Sequence, residues 1–258
     1  MHQYALILGG SSGLGLATAK ALARDGWGVF IIHRDRKSTL PAIQEAFAEI
    51  AQDAPAFESF NVDALRADKR SELIKTIQAR LGEQGRIGVV VHSIAKGNLK
   101  PMAGEAGPYL QSDDFQLTLA AMATSLYDWV QALFQAQLFA PDTRIISFTS
   151  EGNKKAWPNY GAVSAAKAAL EAITRQIALE FAPYGIRANC IQAGTTDTPS
   201  LRLIPGHERL MEISQQRNPF DRLTQPEDVA QVVSLLVRPE AAWINGAVIP
   251  VDGGEHLQ

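Results

Sequence analysis

Tyr160 and Lys167 stand seven positions apart in WPNYGAVSAAKAALEAI. A phenol and an ammonium on one segment make an acid and the group that tunes it. The positive charge favours phenolate, and the phenol proton can serve a carbonyl or enolate oxygen. On an ideal helix, residues seven apart share a face but are separated by about 10 Å along the axis. The tyrosine is therefore expected near the start of its helix, with Pro158 and Asn159 marking the beginning.

A second cluster opens the chain. LILGGSSGLG places Gly9, Gly13 and Gly15 in a G-x3-G-x-G pattern directly after an apolar run. Such a turn brings backbone amides up to an anion and starts a helix whose N-terminus faces it, and side chains at the glycines would obstruct the approach. The pattern suits a dinucleotide pyrophosphate, with Ser11, Ser12 and Leu14 supplying the intervening backbone.

These groups need a frame. Short β-rich runs are Tyr4–Leu8, Gly28–Ile32, Ala56–Phe60, Ile87–His92, Thr143–Thr149, Arg187–Gln192 and Ala247–Val251. Helical patterns over Leu14–Arg24, Leu40–Ala51, Ala67–Leu81, Asp113–Leu138, Pro158–Phe181 and Pro226–Val237 alternate with them. The alternation predicts one α/β domain over residues 1–258, a doubly wound parallel sheet of about seven strands with helices on both faces. Two irregular stretches, Lys96–Ser112 and Gly194–Asn218, follow strand ends and are expected to wall the substrate.

The bulk numbers agree with that frame. A chain of 258 residues, 46% hydrophobic, can bury a large core. Its net charge of −3 gives no basic footprint for nucleic acid. The single cysteine, Cys190 in IRANCIQA, excludes an intrachain disulfide and reads as buried filler. No apolar run reaches a membrane span, and the opening MHQYALILGG lacks a basic leader segment. A cytoplasmic protein without a metal site is expected.

The glycine turn, the Tyr-Lys pair, LEFAPYGIRANCI and INGAVIPVDGG together resemble the short-chain dehydrogenase/reductase family over essentially the full chain. The resemblance implies a Rossmann-type sheet, a nicotinamide cofactor and a homotetramer, with the two long helices Asp113–Leu138 and Pro158–Phe181 as pairing surfaces. It also implies cofactor contacts. Gly9 to Gly15 would hold the pyrophosphate, and Asn61 and Val62 would border the adenine. Ser93, Ile94, Ala95, Thr149 and Lys167 would lie along the nicotinamide half. Ala193, Gly194, Thr196 and Thr198 would meet the carboxamide and pyrophosphate. At the end of the second strand His33 and Arg34 replace the carboxylate that selects NAD. A guanidinium suits a 2′-phosphate, so NADPH is expected with Arg34 on that phosphate and NADH as the lesser choice, although Asp35 stands nearby.

Most short-chain reductases space Tyr and Lys four apart; here the fourth position is Ser164. The Tyr-x6-Lys spacing is similar to that of the enoyl-acyl carrier protein reductases. VVVHSIAKG resembles their HSIA motif, QAGTTDT has AG in place of PG, and Ala120–Ser125 lacks the asparagine of the carbonyl-reducing tetrad. Ser150 occupies the place of the second tyrosine of the main branch, and the glycine turn is of the ordinary type. That combination resembles the smaller NADPH-dependent enoyl reductase branch. It implies reduction of a trans-2-enoyl thioester, with Tyr160 as acid, Lys167 on the ribose and keeping Tyr160 acidic, and Ser150 orienting the carbonyl or merely capping the strand end. His92 reads as a structural histidine. Lys96, Lys100, Lys154 and Lys155 form a rim able to attract an acidic acyl carrier protein. A carbonyl or 3-ketoacyl reductase remains the alternative, and a non-catalytic dinucleotide binder a more distant one.

Overall fold

The computed structural model describes residues 2–105 and 107–258; Met1 and Ala106, the latter inside the stretch 96–112, lie outside the described residues. In chain order the elements are β1 (His2–Leu8), α1 (Gly13–Arg24), β2 (Gly28–His33), α2 (Leu40–Asp53), β3 (Phe57–Asn61), α3 (Ala67–Leu81) and β4 (Gly85–His92). Then come α4 (Ser112–Leu119), α5 (Ser125–Gln135), β5 (Phe139–Thr149), α6 (Gly161–Glu180), β6 (Ile186–Ala193), α7 (His207–Arg217), α8 (Pro226–Leu236) and β7 (Val248–Val251).

The strands form one parallel sheet in the order β3-β2-β1-β4-β5-β6-β7. Because both faces are covered, the central strands are apolar almost throughout rather than alternating; every residue of β2 is buried. The pleat still sorts side chains. Leu6 and Leu8 of β1 join the core under α3, α5 and α6, while Ala5 and Ile7 join the core under α1, α2 and α8. Trp129 of α5 is fully buried in the first of these cores, its indole N–H donating to the Ala64 carbonyl at 3.0 Å.

Three departures from the sequence expectations bear on the site, besides shifted ends such as that of β5, which starts at Phe139 rather than Thr143. The single helix expected over Asp113–Leu138 is broken by a π-helical turn, Ala120–Thr124, between α4 and α5. The apolar periodicity runs through the break, so composition gave no warning. The π turn carries Ser125 against His92 of β4, Nε2 to Oγ at 2.7 Å, and Ser125 Oγ donates back to the Ala121 carbonyl at 2.8 Å. The stretch Gly194–Asn218, expected to be irregular, contains α7. Its HERLMEISQQR sequence is polar, with only Ser214 buried, so no apolar stripe announces it. Finally, α6 begins at Gly161 rather than Pro158. Asn159 takes a left-handed backbone (φ 65°) and Tyr160 is the N-cap residue.

Candidate active site

The sheet order reverses between β1 and β4, and the carboxyl ends of those strands meet there. The Ser93 N–H donates to the Leu8 carbonyl at 2.8 Å, and a Cβ on Gly9 (φ 88°) would lie 2.5 Å from the Ser93 carbonyl oxygen. Gly13 (φ 51°) lies under Thr198, whose Cγ2 a Cβ there would approach to 3.1 Å. Only glycine therefore lets the turn run between β4 and the loop after β6. Ser12 caps α1 in extended backbone without a side-chain hydrogen bond, and the first turn holds no acid. The first-turn N–H groups are left for an anion. A glycine cradle around an uncapped helix start fits a dinucleotide pyrophosphate.

From this point a cleft of about 1090 Å³ runs along the carboxyl edge of the sheet. It brings together Gly9, Ser11, Ser12, Gly13, Leu14, His33, Arg34, Val62, Ser93, Ile94, Ala95, Thr149, Ser150, Tyr160, Lys167, Ala193, Gly194, Thr196 and Thr198. Two residues expected to touch a cofactor do not line it. Gly15 backs onto the turn, where a Cβ would sit 2.2 Å from the Gly9 carbonyl oxygen. Asn61 instead pins the loop after β2: its Oδ1 accepts the Asp35 N–H at 2.9 Å and its Nδ2 donates to the Asp35 carbonyl at 3.1 Å.

At the adenosine end the basic residues arrive with acidic partners. Arg34, with 62% of its side chain exposed, pairs with Asp63 at 3.2 Å, and His33 Nδ1 lies 2.8 Å from Asp35 Oδ2. A 2′-phosphate here would have to displace Asp63 from the guanidinium. Asp63 was not singled out from sequence, because its role depends on β2 and β3 lying side by side.

At the other end, Tyr160 precedes the first turn of α6, its carbonyl accepting the Ser164 N–H at 2.8 Å. Gly152 makes room for its ring; a Cβ there would meet Cε1 at 2.7 Å. Burial raises the phenol pKa, and the Ser150 hydroxyl offsets only part of that rise. Lys167 is not among the causes of the shift: desolvation dominates, and the phenol keeps its proton. No hydrogen bond of ordinary geometry closes between Ser150 and Tyr160, and among the described residues Ser150 Oγ is buried without a partner. Lys167, buried two turns into α6, donates to the Phe148 carbonyl at 2.6 Å. Burial lowers its pKa to about 8, with Cys190 and Glu171 pulling the other way. Glu171, one turn further on, accepts from Thr149 Oγ1 at 2.8 Å and from Asn153 Nδ2. His92 is driven down to about 3, chiefly by burial, and stays neutral.

The apolar side chains of Met122, Val163, Trp157, Leu201, Ile204 and Ile213, the last of them from α7, also line the cleft. Of the rim lysines, Lys100 is paired with Asp114 and Lys155 with Glu151. Among the described residues no His, Cys, Asp and Glu group is placed to hold a metal, and no helix is long and apolar enough to cross a membrane.

The family model described as Enoyl-(Acyl carrier protein) reductase matches residues 9–256. The chain belongs to that family of short-chain dehydrogenases/reductases. It is accordingly an oxidoreductase working with a nicotinamide cofactor. Members of related function differ in substrate. The chain is 32% identical over 176 residues to the enoyl-[acyl-carrier-protein] reductase [NADH] of Enterococcus faecalis, covering 68% of this chain and 69% of that protein. It is 29% identical over 255 residues to the 3-oxoacyl-[acyl-carrier-protein] reductase of Synechocystis sp., covering 98% and 96%. The enoyl-[acyl-carrier-protein] reductase (NADH) of Aquifex aeolicus VF5 superposes with a TM-score of 0.84 at 26% identity, over 100% of this chain and 97% of that one.

Proposed function

We propose that the enzyme reduces the carbon–carbon double bond of a trans-2-enoyl thioester. The observation that carries this is the place of Tyr160: outside α6, at its N-cap, two helical turns before Lys167. A tyrosine four residues before the lysine would instead ride on the helix beside it. The π turn Ala120–Thr124 also offers no asparagine to the site.

On this reading a bound nicotinamide supplies hydride to the β-carbon. The glycine turn and the α1 N-terminus hold the pyrophosphate, and the Lys167 ammonium binds the ribose hydroxyls. Negative charge then develops on the thioester oxygen, and Tyr160 donates a hydrogen bond to it from a site where burial keeps the proton on the phenol. Ser150, a buried hydroxyl without a partner among the described residues, supplies a second donor to the same oxygen. The apolar wall excludes water and takes the acyl chain, and solvent protonates the α-carbon.

Arg34 at the end of β2 supports NADPH, with Asp63 exchanged for the 2′-phosphate; the Aquifex aeolicus enzyme, by contrast, is described with NADH. Presentation of the substrate on an acyl carrier protein, a cytoplasmic setting and a homotetramer belong to the same reading. Leu117, Tyr127 and Leu179 are exposed on α4, α5 and α6, which supports pairing through those helices.

Ser150 beside Tyr160 also favours a second reading, reduction of a 3-ketoacyl thioester, in which the same two donors serve a ketone oxygen. Assay of both thioester series with NADPH separates the two. Activity confined to the keto series would overturn the first.

A further inference from the structure

Within the cleft read above as an active site, one ion pair joins two of the lining segments. Glu151 directly follows Ser150 after β5, and Arg217 ends α7. Arg217 Nη1 donates to Glu151 Oε1 at 2.6 Å and Nη2 to Oε2 at 3.0 Å. The side chains are only 20% and 24% exposed, so this bidentate pair is screened far less than a surface one. Burial alone would raise the Glu151 carboxyl, but Arg217 and Lys155 outweigh it and hold the group below its ordinary value.

The pair does not stand alone. Arg217 Nε donates to the Gln258 carbonyl at 2.9 Å and Nη2 to the Glu255 carbonyl at 2.8 Å. Lys155 reaches the same Gln258 carbonyl at 3.0 Å and Glu151 at 3.1 Å. The Glu255 carboxylate, in a residue only 1% exposed, accepts the Thr195 N–H at 3.0 Å and its hydroxyl at 2.9 Å. Thr195 Oγ1 lies 2.7 Å from Ser214 Oγ, three residues before Arg217. Three walls of the cleft therefore meet in one knot: the loop carrying Ser150 and Tyr160, the end of β6, and α7.

We propose that Glu151 and Arg217 are positioning residues that make the seating of α7 over the substrate and the ordering of the Ser150–Tyr160 loop a single event. Neither touches the reacting atoms. Leu210 and Ile213 of α7 line the cleft, so an acyl chain that seats α7 also fixes Arg217, and Arg217 fixes Glu151 beside Ser150. Occupancy of the chain pocket is thereby reported to the donors at the reacting oxygen.

The test is a double-mutant cycle on the full chain, E151Q, R217Q and E151Q/R217Q. Amide hydrogen exchange of residues 150–160 and 207–217 is read together with steady-state kinetics on whichever thioester the wild type reduces. Each single variant is expected to speed exchange in both segments and to raise the thioester KM on the order of tenfold, with NADPH Kd within about twofold of wild type. The double variant is expected to be no worse than the poorer single, because the tie is already cut. Loosening confined to the substituted segment, or a double effect equal to the product of the singles, overturns the proposal. Should R217Q fail to fold, R217K keeps the charge but loses the fork, and is expected to fall between wild type and E151Q in both segments. Wild-type inactivity on every thioester would count against the proposed reaction while leaving the exchange arm to decide the coupling.

Discussion

Tyr160 caps the N-terminus of α6, while Lys167 lies buried two turns inside it with its ammonium on the Phe148 carbonyl at 2.6 Å. The two groups are therefore tuned separately. Burial lifts the phenol pKa and lowers that of the lysine, and the phenol's polar companion is Ser150. Tyr160 serves as a neutral hydrogen-bond donor and Lys167 as a ligand-binding cation.

Removing the phenol hydroxyl should then cost rate rather than binding. Tyr160→Phe is expected to lower kcat by ~10²–10⁴ with NADPH Kd nearly unchanged. Stopped-flow turnover and fluorescence titration measure the two, and an unaltered kcat removes Tyr160 from the chemistry.

The lysine makes cofactor binding pH-dependent. Its pKa is lowered from 10.5 to about 8, so the ammonium is full below that value and drains as pH rises through it. Cofactor affinity is expected to weaken above pH 8 by up to about tenfold per unit, the limit for one group. His92, at about 3, contributes no limb in this range. Titration of NADPH Kd between pH 6.5 and 9.5, as ~0.5-unit steps around the lysine value, reads this out. Lys167→Met should flatten the curve, and a slope persisting in that variant would assign it elsewhere.

Cofactor choice turns on Arg34 and the carboxylate that holds it at 3.2 Å. Arg34→Ala should weaken NADPH and spare NADH. Asp63→Asn should strengthen NADPH by releasing the guanidinium. Equal changes for both cofactors in both variants would take the 2′-phosphate away from Arg34.

The glycine turn is a backbone requirement. Gly9→Ala places a Cβ 2.5 Å from the Ser93 carbonyl oxygen at φ 88°. A loss on the order of 1–3 kcal/mol is expected from the strain, together with loss of the NADPH-induced rise in Tm. A melt in which the variant still gains stability from NADPH would show that the turn tolerates the methyl group.

Much of this was legible because it is local. The strands announce themselves as apolar runs, and α3 spans Ala67–Leu81 as its amphipathic period indicates. The glycine spacing likewise implies its own backbone. What the sequence hid depends on tertiary meetings. The polar α7 is held by Arg217 and Ser214 rather than by an apolar stripe. The π turn Ala120–Thr124 keeps the same apolar period as its flanks, and its Ser125–His92 contact joins residues 33 apart. Asp63 and Glu151 acquire their roles only through the fold, which sets Arg34 and Arg217 against them.

The central claim, that the Tyr160–Lys167 arrangement serves double-bond reduction, is tested most directly by NADPH oxidation with crotonyl and longer 2-enoyl thioesters beside matched 3-ketoacyl thioesters. The account predicts turnover on the enoyl series, a saturated thioester as product, and loss of that turnover in Tyr160→Phe. Turnover on the keto series alone, giving the 3-hydroxy product, would contradict it.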